Sequence, residues 1–307
     1  MNALDPLVPA LPADMLHWAA RPPQVLQEVP SLPSPSSDSA CGHVTLAGAG
    51  PGDPELLTVK ALRAIERAEV VLIDHLVSPA IQALIPPQAR RIDVGKSCGQ
   101  HRYTQPAIIE LMLRLARQGH RVLRLKGGDP HIFGRGGEEA QALAAAGIPF
   151  DVIPGISAAQ AAAAGAGIPL THRDHARAVV YATAHLREDG SGPACGSAEP
   201  DWDALARPQQ TVVLYMGVTR LALVCQRLIA HGLPPETPAA VVERASQRTQ
   251  RSICATLATL PGRAQQADIH GPAVIVVGTV VGLARQLAPR AGLSQGHPLP
   301  VHKPATA

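Results

Sequence analysis

Gly48-Ala49-Gly50-Pro51-Gly52-Asp53 directly follows the apolar run Val44-Thr45-Leu46-Ala47. Further on, Lys126-Gly127-Gly128-Asp129-Pro130-His131-Ile132-Phe133-Gly134-Arg135-Gly136-Gly137-Glu138-Glu139 directly follows Val122-Leu123-Arg124-Leu125. Glycine after a strand lets the chain turn sharply and lets a ligand approach bare amide groups. The first corner does not fit a dinucleotide site, because the G-x-G-x-x-G pattern wants glycine where this chain has Asp53. Pro51 also lacks an N–H for a pyrophosphate, and Asp53 would repel one. Two acidic glycine corners suit a neutral or cationic ligand better, and a sulfonium cofactor is such a ligand.

Outward from these corners, strand-like runs at 44–47, 69–73, 91–94, 122–125 and 150–153 alternate with helical stretches. Thr104 is a plausible N-cap for a helix whose apolar face is Ile108, Leu111, Met112 and Leu115. A second helix is expected from about Gly137 to Gly147, whose glycine suits a helix C-terminus. This alternation predicts a mostly parallel sheet with crossover helices. After residues 158–177, read as a linker, further strands are expected at 178–183, 211–215, 239–243, 252–256 and 273–277. The last two of these lie close enough to suggest an antiparallel part, so the second sheet is expected to be mixed. The fold class is therefore α/β: an N-terminal α/β domain over 43–157 and a C-terminal one over 178–288, with a cleft between them. Residues 1–42 hold eight prolines, and with 289–307 they read as disordered tails. Residues 189–200 read as a surface loop.

Of the 307 residues 46% are hydrophobic but only 2% aromatic, so the core must be aliphatic. A net charge of +3 is too mild to argue for a nucleic-acid partner, and no apolar run reaches the length of a membrane span. Cys41, Cys98, Cys195, Cys225 and Cys254 contain no C-x-x-C pair, so neither a disulfide framework nor a zinc site is indicated. A reduced, cytoplasmic setting is the default expectation. His101, His131, His172, His175 and His185 match no compact metal-ligand spacing, so no metal is expected.

The segments G-A-G-P-G-D, V-G-K (94–96), L-K-G-G-D-P-x-I-F-G-R-G-x-E-E, V-I-P-G-I-S-A (152–158) and G-I-P-L-T-H-R-D (167–174) occur in one order. From about His43 to about Leu287 the chain resembles the tetrapyrrole methylases, in particular those that C-methylate uroporphyrinogen III. The resemblance implies two α/β domains holding S-adenosylmethionine between them, and a homodimer. It implies methylation at two ring positions, C-2 and C-7, by way of precorrin-1 to precorrin-2, a precursor of sirohaem, cobalamin or haem d1. By residue-by-residue matching it implies that Pro51, Gly127, Gly128, Asp129, Ile132, Ser157, Ala158, Met216 and Ala245 line the cofactor. It also implies an acid–base pair at Asp74 and Lys96, both just after strands. Asp74 could equally cap the next helix, and Lys96 could anchor a carboxylate.

The implied substrate is a macrocycle ringed by carboxylates, which arginine recognises through bidentate, charge-assisted hydrogen bonds. Arg135 and Arg173 are the candidates, and Glu138 is expected to orient Arg135 through an ion pair. Arg244, Arg248 and Arg251 read as a solvated face. Methyl transfer is an in-line displacement, in which the protein mainly aligns the reacting atoms and excludes water. An NAD-dependent oxidoreductase would need glycine at position 53 and an acidic residue ending the second strand; Asp74 meets the second need and Asp53 fails the first. A later corrin methylase is disfavoured by F-G-R-G and T-H-R-D. A non-enzymatic sensor of S-adenosylmethionine is disfavoured by the retained Arg135, Arg173, Asp74 and Lys96. Two-function relatives add a domain for metal insertion and oxidation. The tail-like residues 1–42 lead to the expectation of methyl transfer alone.

Overall fold

The computed structural model describes residues 42–95, 103–184 and 199–287; the expected tails and most of the 189–200 loop lie outside these. The first half runs β1 (His43–Gly48), a 3-10 turn (Pro54–Leu56), α1 (Val59–Glu66), β2 (Val70–Ile73), α2 (Pro79–Gln82) and β3 (Arg90–Asp93). It continues with α3 (Gln105–Arg117), β4 (Arg121–Lys126), α4 (Gly136–Ala145) and β5 (Phe150–Ile153). The strands form one sheet in the order β3-β2-β4-β1-β5. Every pairing in it is parallel.

Local chemistry sets these elements. The hydroxyls of Thr58, Ser78 and Thr104 each accept the third amide of the helix that follows, satisfying an orphan donor. The chain leaves α4 through Gly147 at φ +67°, where L side chains rarely go. Val70–Ile73 is buried throughout, as expected for a strand covered on both faces of a parallel sheet. Val44, Leu46 and Val122 pack with Ile108, Leu111, Met112 and Leu115 of α3 on one face. Ala47, Val71, Leu123 and Leu125 pack with Ile65 and Ile81 on the other. Each such fully buried aliphatic side chain is worth about 2 kcal/mol over leaving it in water.

The second half runs α5 (Ala158–Ala166), β6 (Ala178–Thr183), α6 (Trp202–Leu205), β7 (Gln210–Tyr215) and α7 (Leu221–Ala230). It ends with β8 (Pro238–Glu243), β9 (Arg251–Thr256), α8 (Leu260–Gln266), β10 (Ala273–Val277) and α9 (Ala284–Leu287). The sheet order is β6-β7-β10-β8-β9. It is mixed as expected, but the antiparallel pairing differs from the expectation. β9 and β10 do not pair with each other; each lies antiparallel to β8, and β10 is also antiparallel to β7. The helix α8 between β9 and β10 carries the chain past one strand, so they flank β8 instead of forming a hairpin. Because β6 is parallel to β7, and β7 and β8 are both antiparallel to β10, the carboxyl ends of β6, β7 and β8 share one edge.

Residues 158–166, expected within a linker, form α5. Its small side chains Ala159, Ala161, Ala162 and Ala166 are buried against Val213, Ala240 and Val276. Alanine permits close helix–sheet approach and has the best helix propensity, which a reading based on large apolar residues overlooks.

Candidate functional site

The two glycine corners meet. The Gly50 amide donates to Gly128 O at 3.1 Å and the Gly128 amide donates back to Gly50 O at 2.8 Å, while the Ala49 amide donates to Lys126 O at 2.7 Å. Side chains would not fit: a Cβ on Gly48 would lie 2.6 Å from Gly128 O, and one on Gly155 only 2.2 Å from it. Three turns, after β1, β4 and β5, are thus packed backbone on backbone at the carboxyl edge of the first sheet.

Asp129 ties two of these turns. Its Oδ1 accepts the His131 amide at 2.8 Å and its Oδ2 accepts the Gly155 amide at 3.0 Å. Gly128 adopts φ +67°, and a Cβ there would come no nearer than 4.0 Å to Ser157 or Ala158. That gap opens toward the start of α5, where Ser157 N donates to Gln160 Oε1 at 2.9 Å. Gly127 abuts Leu76, the residue two after Asp74.

Contacts from the second half close on the same place. Phe133 packs against Tyr215 with ring centroids 4.8 Å apart and planes inclined at 49°, which ties the loop that follows Ile132 to the strand end that precedes Met216. The Tyr215 hydroxyl accepts the Ala159 amide at 3.1 Å, and burial pushes its pKa up. Gln247, two residues beyond the buried Ala245, reaches back to the carbonyl of Pro51 at 3.4 Å. These contacts tie the loops that carry Pro51, Gly127, Gly128, Asp129, Ile132, Ser157 and Ala158 to one another and to the strand ends that carry Met216 and Ala245. Among the described residues, five of the seven non-glycine residues with positive φ (Phe133, Arg135, Met216, Arg244 and Ser246) sit on these loops. Such strain is kept where surrounding contacts over-determine the backbone.

Arg135 is the N-terminal flanking residue of α4, at φ +59°. Its guanidinium forks onto Glu138, Nε to Oε1 at 2.8 Å and Nη2 to Oε2 at 2.7 Å, and both side chains are about half exposed. The hydrogen bond holds the Glu138 carboxyl below its usual range and the arginine above its own. Asp74, at the end of β2, accepts the His75 amide at 2.7 Å and lies 3.9 Å from Arg124. Lys96 lies outside the described residues. Arg173 is exposed on the turn 171–176, closed by a bridge between His172 and Ala176 and tied through His175 O to Thr279. Among the described residues no hydrogen bond or ion pair links that turn to the glycine corners, though Ala176 shares a core cluster with Ala158 and Ala159, and no group of three or more metal-ligating side chains occurs.

Sequence reasoning passed over two features. Arg251 is not merely solvated: it donates to the buried Glu243 and to the carbonyls of Ala267 and Asp268, anchoring the strand end that leads to Ala245. The second feature is a sealed group of charges, Arg124, Lys126 and Glu139, with Arg124 Nε 3.2 Å and Lys126 Nζ 3.0 Å from Glu139 Oε1. A signal existed, since Arg124 and Lys126 fall on the same face of β4, whose inner residues Val122, Leu123 and Leu125 are apolar.

Residues 43–261 match the family model "Tetrapyrrole (Corrin/Porphyrin) Methylases". The chain is similar to a "Siroheme synthase" of Nitrosospira multiformis, 51% identical over 257 residues, or 84% of this chain and 53% of the relative. It is similar to another "Siroheme synthase" of Stutzerimonas stutzeri, 53% identical over 249 residues, 81% of this chain and 52% of the relative. The chain thus spans about half the length of the curated relatives it matches. Among solved structures it resembles a uroporphyrin-III C-methyl transferase from Thermus thermophilus complexed with S-adenyl homocysteine. That match has 39% identity and a TM-score of 0.66, covering 79% of this chain and all of that one. A cobalt precorrin-4 methyltransferase aligns with a TM-score of 0.67 at 29% identity, covering 78% of this chain and 95% of that one.

Proposed function

This chain belongs to the tetrapyrrole methylases, and on that premise we propose that it is an S-adenosylmethionine-dependent methyltransferase that C-methylates uroporphyrinogen III. The observation that supports the proposal is the reciprocal Gly50–Gly128 hydrogen bonding, which brings both glycine corners side by side, as walls of one cofactor cleft would be. The cleft suits this cofactor on its own chemistry. Backbone and apolar walls, with Asp53 and Asp129 near by, offer little to a phosphate, while the open side of Gly128 leaves room against Ser157 and Ala158. When bound, S-adenosylmethionine supplies an electrophilic methyl group. Pro51, Gly127, Gly128, Ile132, Ser157, Ala158, Met216 and Ala245 would hold it, with Asp129 fixing the loop beside it.

The chain's own contribution is alignment and the handling of charge. Arg135, held by Glu138, would meet a carboxylate of the macrocycle, and Arg173 would serve a more distant one. Methylation of a pyrrole carbon leaves a positive ring that must lose a proton, and Asp74 and Lys96 are the proposed groups for that exchange. Leu76, Phe133 and Met216, exposed apolar residues on the cleft loops, would exclude water from the reacting atoms. A homodimer acting in the cytoplasm, with the product passing to sirohaem, cobalamin or haem d1, completes the proposal.

The test is methyl transfer from labelled S-adenosylmethionine to uroporphyrinogen III made in situ, read by product mass. Two added methyl groups are expected. No transfer despite tight cofactor binding would overturn the substrate assignment in favour of a later corrin intermediate.

A further inference from the structure

Glu139 is fully buried in the first turn of α4, and its two oxygens are used very unequally. Oε1 takes Arg124 Nε at 3.2 Å, Lys126 Nζ at 3.0 Å and Gln105 Nε2 at 3.1 Å, whereas Oε2 is sealed from solvent with no partner. Arg124 and Lys126 are equally buried. Burial and the neighbouring Arg124 pull the Lys126 ammonium below its usual pKa, and Glu139 and Asp74 push it back up. A group of charges this dry gains little stability over apolar side chains of the same volume, and its half-satisfied carboxylate is a cost.

Its position gives it another use. Arg124 turns one nitrogen to Glu139 and another toward Asp74 at 3.9 Å, and Lys126 is the last residue before Gly127. Glu139 follows Glu138 on α4, and its charge also reaches Arg135. One carboxylate therefore contacts Arg124 and Lys126, acts on Arg135 through its charge, and is linked to Asp74 through Arg124. Charged or polar groups meet it from β4 (Arg124, Lys126) and α3 (Gln105). Arg135 lies within its electrostatic reach at the start of its own helix, and Asp74 at the end of β2 and Glu138 stand one partner further off, beside Arg124 and Arg135.

We propose that Glu139 is a positioning residue, the buried counter-ion that locks the end of β4 to α4 and so holds Arg124 beside Asp74. The inference rests on the methyl-transfer reading of that cleft. With Glu139 neutral, Lys126 keeps only Asp74 against Arg124 and burial, and Arg124 loses its charged tie to α4 while its contacts to the Leu72 and Leu125 carbonyls remain.

The test compares Glu139→Gln with the full wild-type chain. Turnover is expected to fall about tenfold or more, because misplacing reacting groups by a fraction of an ångström suffices for that. S-adenosylmethionine affinity should stay within about threefold. Independently of activity, 15N NMR of the Lys126 ammonium should show it titrating at lower pH in the variant, and Glu139→Asp should restore part of both properties. Wild-type turnover in Glu139→Gln, or an unmoved Lys126 midpoint, would overturn the proposal. Failure of the wild-type chain to transfer methyl groups would refute the functional reading instead, and the Lys126 midpoint would still decide this one. Should Glu139→Gln not fold, Lys126→Met/Glu139→Gln removes one charge of each sign and carries the same turnover comparison.

Discussion

Replacing Asp129 by alanine separates two roles that the sequence alone merged. Its carboxylate accepts amides from His131 and Gly155, one within its own turn and one from the loop after β5, 26 residues away. The His131 amide is exposed and would be rehydrated, at little cost. The Gly155 amide is partly buried, and leaving it unpaired costs about 1–3 kcal/mol. Asp129→Ala should therefore lose about 2 kcal/mol of stability, read as a lower midpoint in urea with an unchanged slope. Because Gly155 packs its backbone against Gly128, release of the tie should also raise the dissociation constant for S-adenosylmethionine about tenfold, measured by calorimetry. Asp129→Asn keeps one acceptor oxygen and should fall between. If affinity drops while stability stays at the wild-type value, Asp129 acts as a direct ligand contact and the tie is energetically idle. If neither changes, the reasoning fails altogether.

Arg135→Ala should cut turnover strongly while leaving cofactor affinity nearly intact, since its contacts are to Glu138 on the exposed start of α4; unchanged turnover would remove it from the substrate site. Glu138 sits below its usual pKa of 4.5 in the folded chain, so its ion pair adds stability above that value and loses it as pH falls through the lower folded one. Half-exposed and screened, the pair is worth about 0.5 kcal/mol, so Glu138→Gln should be weaker than wild type at neutral pH and equal to it in strong acid. Gly155→Ala would drive a Cβ to 2.2 Å from Gly128 O, main chain that cannot yield, and should abolish cofactor binding and lower the melting temperature by several degrees; normal binding would mean the three turns are not packed as described.

Most strands were legible because each is a short aliphatic run bounded by glycine, proline or charge, and such runs place parallel strands well. The α3 face at Ile108, Leu111, Met112 and Leu115 was equally plain, and all four are buried. What escaped was pairing and small residues. Nothing local says that β9 and β10 flank β8, because that is decided by where α8 packs. The alanines of α5 looked like a linker because they lack bulk, yet bulk is what their packing excludes. Both glycine corners could be read at the cleft, as could the Arg135–Glu138 pair from its three-residue spacing at a helix start. The Glu139 cluster was half legible: Arg124 and Lys126 share a face of β4, but a carboxylate beside another in an acidic first turn looks like ordinary helix-dipole compensation until its burial is known.

The Gln247–Pro51 contact joins residues 196 positions apart in the chain. It therefore needs the two halves to have come together, and closing so long a loop costs more chain entropy than any contact within one sheet. Ligand affinity in this protein should consequently arise as a late event. During refolding, native-like circular dichroism should recover first, and capture of S-adenosylmethionine should follow in the last kinetic phase, which makes the cofactor a clock for completion of the tertiary structure.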